Sequence, residues 1–292
     1  MAINILYCYE TSPKPREYVL PGLLPGTVGS IVAPGGAGKS MLALEFAHYV
    51  ASGADMLGIG VQQHTGRVVY LSREDGEDIL HERLHAMGRH LNGVQREMCA
   101  EQLLIEDFTK HTPDLFEQDC RDAVEQLATG ARLLFLDTLR SFHGGDENCN
   151  TEMSVLTGYM RAIAARTGCA IVFLHHTNKA ATLSGQGDLQ QAPRGASALT
   201  DNVRWQMYLV GCTKDEAKTL DISDEMRGCF VRAGVSKQNY GAAAAEAWLR
   251  RTEGGVLVPA EFATSGVTMA GKGKSAAKPG KAAKKTDDEE NW

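Results

Sequence analysis

The sequence contains no hydrophobic run long enough to span a lipid bilayer. Its longest uncharged apolar runs, such as residues 31–36 and 169–174, are far shorter than the roughly 20 residues that a membrane-spanning helix needs. The N-terminus also lacks a basic region followed by a long apolar core, which is the pattern of a secretion signal. We therefore expect a cytoplasmic protein that does not insert into a membrane.

The cysteine pattern and the net charge exclude two further classes of protein. The seven cysteines include no C-x-x-C pair and no Cys/His cluster with zinc spacing, so we expect reduced thiols. The formal net charge of −6 argues against a nucleic-acid binder that is basic over its whole surface. An interior channel lined by a few Lys and Arg side chains stays compatible with that charge, because the local field matters more than the sum.

From residue 27 to about residue 262, strand-like apolar runs alternate with helical patterns. This order is typical of a single α/β domain in which helices cover both faces of a mostly parallel sheet. The later runs have short connections and predict antiparallel strands at one edge of the sheet. The predicted strands are 27–33, 67–72, 132–137, 169–176, 204–211, 229–237 and 246–251. The predicted helices are 41–52, 76–91, 114–129 and 152–167.

The two ends of the chain differ in composition from this domain of residues 27–262. Four prolines break any long helix in residues 1–26, which we interpret as an arm that is available for packing against another subunit. Residues 263–292 are rich in Lys, Ala and Gly and then acidic, so they bury little apolar surface and are predicted to be disordered. Such a tail is either solvated or contacts nucleic acid or a partner.

The stretch VAPGGAGKSM, residues 32–41, ends as a phosphate-binding loop ends. The spacing G-x-x-x-x-G-K-[ST] would place a glycine at Ala33, where one methyl group is a small intrusion. The loop lies between a predicted strand and a predicted helix, so its N–H groups are expected to bind phosphate. Lys39 is expected to reach the β and γ phosphates of ATP, and Ser40 to bind Mg²⁺. The predicted ATP-binding loop residues are Pro34, Gly35, Gly36, Ala37, Gly38, Lys39, Ser40 and Met41.

Carboxylates follow two of the predicted strands. Asp137 ends a strand that is apolar throughout, and downstream of a phosphate loop this is the expected position of the second Mg²⁺ partner. Glu74 follows the strand 67–72 and is the predicted carboxylate that orients the attacking water. The neighbouring Asp75 is instead a candidate cap for the following helix.

Two histidines and two loops complete the predicted edge. His175 and His176 end a strand, and one of them is expected to hydrogen-bond the γ-phosphate and signal its loss to the next loop. That loop, residues 177–198, is long and polar, and its Lys179 and Arg194 are candidate contacts to a DNA backbone. The loop of residues 141–150 is the second candidate.

Two cations lie beside the strands that finish the sheet. Arg204 and Lys237 are candidates to stabilise charge at the γ-phosphate, a role that a neighbouring subunit often supplies. Ordinary surface ion pairs are the alternative for both side chains.

With these residues in place, the chain resembles the RecA-like ATPase domain of hexameric replicative DNA helicases, and within them the small RepA helicases of IncQ-type plasmids. The likeness runs over about residues 17–260. It is carried by YVLPGLLPGTVGSIVAPGGAGKSMLAL, LFLDTLRSFH, TGCAIVFLHH, RGASALTDNVRWQ, FVRAGVSKQNYG and GGVLVPA.

The resemblance implies a homohexameric ring that hydrolyses ATP between subunits and moves along single-stranded DNA in a central channel. It implies a plasmid origin as the place of action, with the plasmid initiator and primase as partners. Lys39, Ser40 and Asp137 then hold MgATP, Glu74 activates water, and one of the two histidines senses phosphate. Arg204 corresponds to the arginine finger. Lys237 matches the lysine of a Lys-x-Arg pair, but Asn239 stands where the arginine would be.

Two other classes fit parts of the pattern. A RecA- or RadA-like ATPase for recombination or mediation would bind DNA as a filament without unwinding it. A ring of fixed size and unwinding of a forked duplex would distinguish a helicase from this class. A small-molecule kinase is the third possibility. The sequence shows no obvious lid or acceptor pocket for a kinase, and DNA-stimulated ATP hydrolysis would exclude it.

Overall fold

The computed structural model describes residues 2–177, 196–241 and 246–262. The strands are β1 (Val28–Ala33), β2 (Val68–Ser72), β3 (Leu103–Asp107), β4 (Leu133–Asp137), β5 (Ala170–His176), β6 (Trp205–Gly211), β7 (Phe230–Gln238), β8 (Ala247–Arg251) and β9 (Leu257–Pro259). The α-helices are α1 (Ile5–Glu10), α2 (Lys39–Ser52), α3 (Glu77–Gly88), α4 (Gly93–Gln102), α5 (Gln118–Ala128), α6 (Asn150–Thr167), α7 (Ala196–Asn202) and α8 (Lys214–Thr219). Short 3-10 turns lie at Leu139–Phe142, Arg227–Cys229 and Glu253–Gly255.

The strands form one sheet in the order β3-β2-β4-β5-β1-β6-β7-β8-β9. The first six in this order pair in parallel, and β7, β8 and β9 add in antiparallel fashion. One core lies between the sheet and helices α2, α3 and α4, and a second lies under α5, α6 and α7 on the opposite face. The predicted α/β class, with a mostly parallel sheet and antiparallel edge strands, is confirmed.

The sequence missed the helices α1, α4, α7 and α8 and the strands β3 and β9, and it placed the start of one helix too early. The residues of β3 are only half-buried at the sheet edge, so the strand lacks a long apolar run, and β9 has three residues. The helix predicted from residue 114 begins at Gln118. Before it, the Asp114 side chain accepts a hydrogen bond from the Phe116 N–H (2.8 Å) and holds a turn.

The N-terminal segment has two parts with different packing. Val19, Leu20 and Leu23 are buried in the first core, and the Trp205 indole N–H donates to the Pro21 carbonyl at 3.0 Å. Helix α1, in contrast, buries none of its residues. The exposed part of the arm is therefore residues 2–17. None of the helices in the described ranges combines the length and the apolar character needed to cross a membrane.

One carboxyl group is buried inside the first core. Glu45, in the middle of α2, is 1% exposed, and its Oε1 accepts a hydrogen bond from the Leu257 N–H of β9 at 2.6 Å. Its Oε2 is buried and finds no hydrogen-bond partner among the described residues. Burial raises the pKa of Glu45 to about 8, although the Leu257 N–H opposes the shift.

This buried carboxyl makes stability depend on pH. Because the folded pKa lies above the ordinary value of 4.5, folding favours the protonated form, and stability falls as pH rises from about 4.5 to about 8. We expect Glu45→Gln to remove a slope of about 1.4 kcal/mol per pH unit from the free energy of unfolding in that window. Denaturant titrations between pH 5 and 9 measure it. Glu82→Gln, an exposed position on α3, is the control, and parallel pH curves for wild type and Glu45→Gln would contradict the assignment.

Candidate nucleotide-binding site

The candidate site lies at the carboxyl ends of four adjacent parallel strands. In the sheet, β2, β4, β5 and β1 are consecutive neighbours, so the residues that follow them meet at one edge. Lys39, Glu74, Asp137 and His176 all arrive at this edge by that route. The strands are apolar and buried, which fixes the positions of the polar residues at their ends.

The glycine loop leaves β1 in a conformation suited to phosphate. Ala33 is the last residue of β1 and is buried, so the departure from the glycine spacing lies before the loop. Gly36 and Gly38 have φ of 74° and 103°, the left-handed region that favours glycine. At Gly35 and Gly36 an added Cβ would meet no atom within 4 Å, so this face of the loop is open. Helix α2 then begins at Lys39 with first-turn N–H groups that have no intrahelical acceptor.

The remaining loop residues hold this backbone by one hydrogen bond within the loop and by packing into the first core. Pro34 is half-buried, and its carbonyl accepts a hydrogen bond from the Ala37 N–H at 3.2 Å. Ala37 and Met41 are buried in the first core.

Lys39, His176 and Glu74 form a hydrogen-bonded chain. The Lys39 ammonium donates to His176 Nδ1 at 3.1 Å, and His176 Nε2 lies 3.1 Å from Glu74 Oε1. An acceptor at Nδ1 and a donor at Nε2 define one neutral tautomer of the ring. Burial lowers the pKa of Lys39, although the carboxylates of Asp137, Glu74 and Asp75 oppose the shift.

Glu74 is placed and polarised by two donors. Besides His176, the Thr138 hydroxyl donates to Glu74 Oε1 at 3.0 Å. Partial burial alone would raise the pKa of Glu74, but these two hydrogen bonds and the nearby Lys39 ammonium together lower it. The carboxylate is therefore ionised at neutral pH. Its neighbour Asp75 forms an ion pair with Arg83 (2.5 Å) and does not cap α3, whose N-cap is Gly76.

Asp137 is a buried carboxylate with one unused oxygen. The Tyr70 hydroxyl donates to its Oδ2 at 2.5 Å, whereas Oδ1 is buried and finds no hydrogen-bond partner among the described residues. Burial raises the pKa of Asp137, and the nearby Tyr70 and Ser40 hydroxyls oppose that shift. A free carboxylate oxygen beside the Ser40 hydroxyl is a suitable donor set for Mg²⁺. Together with the open loop, the residues present fit MgATP.

The two histidines have different surroundings. His175 is 8% exposed, and its Nδ1 lies 3.7 Å from Glu147 Oε1 in the loop of residues 141–150. Burial, helped by the nearby His176, Lys39 and His143, lowers the pKa of His175 to about 4, so this ring is neutral at pH 7. His176 is the member of the pair that contacts Lys39 and Glu74.

The backbone of residues 141–150 is held by polar side chains that lie outside this loop. Asp114 accepts from the Gly144 N–H at 3.2 Å, Glu152 accepts from the Asp146 N–H at 2.7 Å, and Arg140 donates to the carbonyl of His143 at 3.2 Å.

The two predicted cations lie at the amino ends of the parallel strands, opposite the carboxyl ends where the candidate site lies. The Arg204 N–H donates to the Val28 carbonyl at 3.0 Å, at the start of β1, whereas the glycine loop follows the end of β1. Five residues of β1 separate the Val28 carbonyl from the start of the glycine loop, and at the rise of a strand this is a distance of about 16 Å. Lys237 is paired with Gln206 near the same end, and its ammonium donates to the carbonyls of Thr200 (2.8 Å) and Asp201 (2.9 Å). Neither cation reaches the glycine loop of its own chain.

Two predicted DNA contacts lie outside the described residues, namely Lys179 and Arg194. Sequence reasoning missed three residues that the fold brings to the site. Thr138 directly follows Asp137 and was detectable from that position. Tyr70 and Arg251 reach the site only through long-range packing, and no local pattern indicates them.

These features together define a P-loop nucleotide-binding domain. Residues 8–182, more than half of the chain, match the family model of the AAA domain. The chain therefore belongs to the AAA domain family.

Solved structures with a RecA-like fold are similar over most of the chain. One of them, an isolated ATPase domain, matches at a TM-score of 0.59 and 14% identity, over 88% of this chain and 96% of that one. A DnaB-like replicative helicase, described with its interactions with primase, matches at 0.59 and 14%, over 89% and 67%. The RadB recombinase matches at 0.53 and 13%, over 82% and 92%. At these identities the likeness establishes the RecA-like fold alone.

The site analysis predicts the effect of Lys39→Ala. We expect the variant to lose measurable binding of ATP with Mg²⁺, because the ammonium is the only cation in the hydrogen-bonded chain at the loop. The fold should persist, since burial already disfavours the charge. Equilibrium titration with a fluorescent ATP analogue and thermal melting measure the two effects. Lys110→Ala, at an exposed position, is the control. Wild-type affinity in Lys39→Ala would contradict the assignment.

Proposed function

We propose that the protein is an ATP-dependent DNA helicase that works as a homohexameric ring. One observation carries the proposal: the groups for binding and hydrolysing a nucleotide meet at the carboxyl ends of the parallel strands, while the backbone of the candidate finger Arg204 lies at their amino ends, a strand rise of about 16 Å away. Each chain therefore carries the nucleotide-binding groups at one end of its strands and the candidate finger at the other end. A head-to-tail ring brings the two together at every interface.

In this proposal the residues at the loop bind and position MgATP. The loop N–H groups and Lys39 would hold the phosphates, and Ser40 with Asp137 would hold Mg²⁺, which would supply positive charge opposite the phosphates. Glu74 is ionised and accepts a proton from the attacking water.

His176 connects the phosphate site to the following segment. Phosphate oxygens compete with His176 for the Lys39 ammonium, so the His176 ring is released when phosphate is bound and recaptured when it leaves. His176 is followed by residues 177–198, where Lys179 and Arg194 are our candidates for contacts to the backbone of single-stranded DNA in the channel. His176 is thus our choice for the phosphate sensor, and His175 has a structural role beside Glu147.

Arg204 and Lys237 have separate roles in the ring. Arg204 is exposed, and its side chain makes no hydrogen bond or ion pair with any described residue, so it is available to a neighbouring subunit. The Lys237 ammonium donates to carbonyls in the last turn of α7. It therefore caps the C-terminus of this helix and orients it. It is a positioning residue for the finger region, where the Asn239 N–H donates to the Arg204 carbonyl at 3.1 Å.

The N-terminal arm supplies a further contact in the ring. Helix α1 exposes several apolar side chains, among them Ile5, Leu6 and Tyr9 (61%, 63% and 82% exposed). We assign this surface to packing on the adjacent protomer. Deletion of residues 1–12 is expected to reduce the hexamer on size-exclusion chromatography, and an unchanged hexamer would refute the assignment.

The plasmid setting belongs to the proposal as well. The resemblance to RepA-type helicases supports action at a plasmid replication origin, together with a plasmid initiator and primase. The structural similarity to RadB supports one alternative, a DNA-stimulated ATPase that does not unwind DNA.

Strand separation on forked DNA tests the proposal against this alternative. Duplexes with either a 5′ or a 3′ single-stranded tail are incubated with ATP and Mg²⁺. We expect ATP-dependent unwinding of the substrate with one tail polarity, none with Lys39→Ala, and the wild-type rate with Lys110→Ala. DNA-stimulated hydrolysis without strand separation would favour the recombinase-like alternative, and no hydrolysis would exclude both.

Mixed rings test whether Arg204 acts in trans. Arg204→Ala and Lys39→Ala subunits are each expected to be inactive. In mixed rings, some interfaces join an Arg204→Ala subunit, which keeps Lys39, to a Lys39→Ala subunit, which keeps Arg204. These interfaces contain both residues, so ATP turnover should reappear. Steady-state hydrolysis over a range of mixing ratios measures the recovery. Activity that stays at the level of the separate variants would argue against a finger supplied by the neighbour.

A further inference from the structure

Arg251, the last residue of β8, contacts the backbone of the glycine loop from the antiparallel side of the sheet. Its Nη2 donates to the Gly36 carbonyl at 3.0 Å and also to the Ala37 carbonyl, while its Nη1 donates to the Gly228 carbonyl at 3.2 Å. The guanidinium also packs on Gly38, where an added Cβ would lie 3.5 Å from Nη2. One side chain therefore restrains three consecutive residues of the loop.

These contacts determine which way the loop N–H groups point. In a planar trans peptide the carbonyl and the following N–H point in opposite directions. Carbonyls of Gly36 and Ala37 that face Arg251 therefore turn the N–H groups of Ala37 and Gly38 away from it. The Ala37 N–H donates to the Pro34 carbonyl at 3.2 Å, whereas the Gly38 N–H has no acceptor among the described residues and is available to an anion.

The loop has little conformational preference of its own. Gly36 and Gly38 both sit at positive φ, and glycine visits many other conformations at similar cost. A contact from outside the loop is thus needed to keep the phosphate-binding conformation populated before the nucleotide arrives. Charge-assisted hydrogen bonds such as those of Arg251 are among the stronger restraints available.

The strand next to β8 holds the helix that follows the loop. Leu257 of β9 is paired with Arg251, and its N–H donates to Glu45 of α2 at 2.6 Å. The β8–β9 ribbon therefore contacts both the glycine loop and α2. The adjacent Arg250 points to the other face of the strand and is exposed, so it takes no part in this arrangement.

We propose that Arg251 is a positioning residue that preorganises the glycine loop for phosphate binding. This inference rests on the nucleotide site proposed above and is independent of DNA unwinding. Arg251 acts through the loop backbone, so its loss affects the nucleotide-free protein as well as nucleotide affinity.

Three variants test it: Arg251→Gln, Arg251→Lys and the matched control Arg250→Gln. Hydrogen–deuterium exchange of the nucleotide-free proteins reports on residues 35–40, and titration with a fluorescent ADP analogue and Mg²⁺ reports on affinity. For Arg251→Gln we expect faster exchange confined to the loop and affinity weakened about tenfold. Arg251→Lys should be intermediate because an ammonium lacks the planar fork, and Arg250→Gln should match the wild type.

Other outcomes overturn the proposal. Wild-type exchange and affinity in Arg251→Gln would show that the loop conformation does not depend on the contact. If Arg251→Gln exchanges rapidly throughout the chain, it is unfolded and Arg251→Lys decides, since wild-type loop exchange in that folded variant would also overturn the proposal. A wild-type protein that binds no ADP would instead remove the proposed nucleotide site, while the exchange data would still report on the restraint.

Discussion

The burial of charged groups at the carboxyl edge of the sheet is the constraint on which the rest of the structure depends. Lys39 and Asp137 are 4% and 0% exposed, and a charge so removed from water needs compensation. Lys39 has His176 and the nearby carboxylates, whereas Asp137 keeps an oxygen without a partner among the described residues. The charge of Lys39 is thus compensated by neighbouring groups, whereas the free oxygen of Asp137 is a suitable ligand for a divalent cation.

The apolar strands allow this arrangement to persist. Residues of β1, β2, β4 and β5 are buried on both faces by the two cores, so the strand ends cannot shift to relieve the charges. The antiparallel β8–β9 ribbon then adds restraints from its own side, through Arg251 on the loop and through the Leu257 N–H on Glu45 of α2. Rigid strands and a permissive glycine loop together give a site that is ordered by its surroundings.

Residues whose signal is local were predictable from the sequence. Asp137 ends an apolar strand and Lys39 closes the glycine loop that follows another, and strand order in a parallel sheet brings them together. The antiparallel edge was also predicted, but β3 was not, because its residues are half-buried and lack a continuous apolar run. Tyr70 and Arg251 depend on packing between distant segments, for which the sequence carries no pattern.

The two outer strands of the described sheet bear on how copies of this chain meet. On one side, β9 has only three residues and ends in Pro259, which has no N–H to donate. On the other, β3 ends in Glu106 and Asp107, whose charges disfavour a neighbouring strand. Neither edge offers a long flat template for continuation of the sheet from one molecule to the next. Association through helices and loops is therefore compatible with keeping the chain free of β-type aggregation.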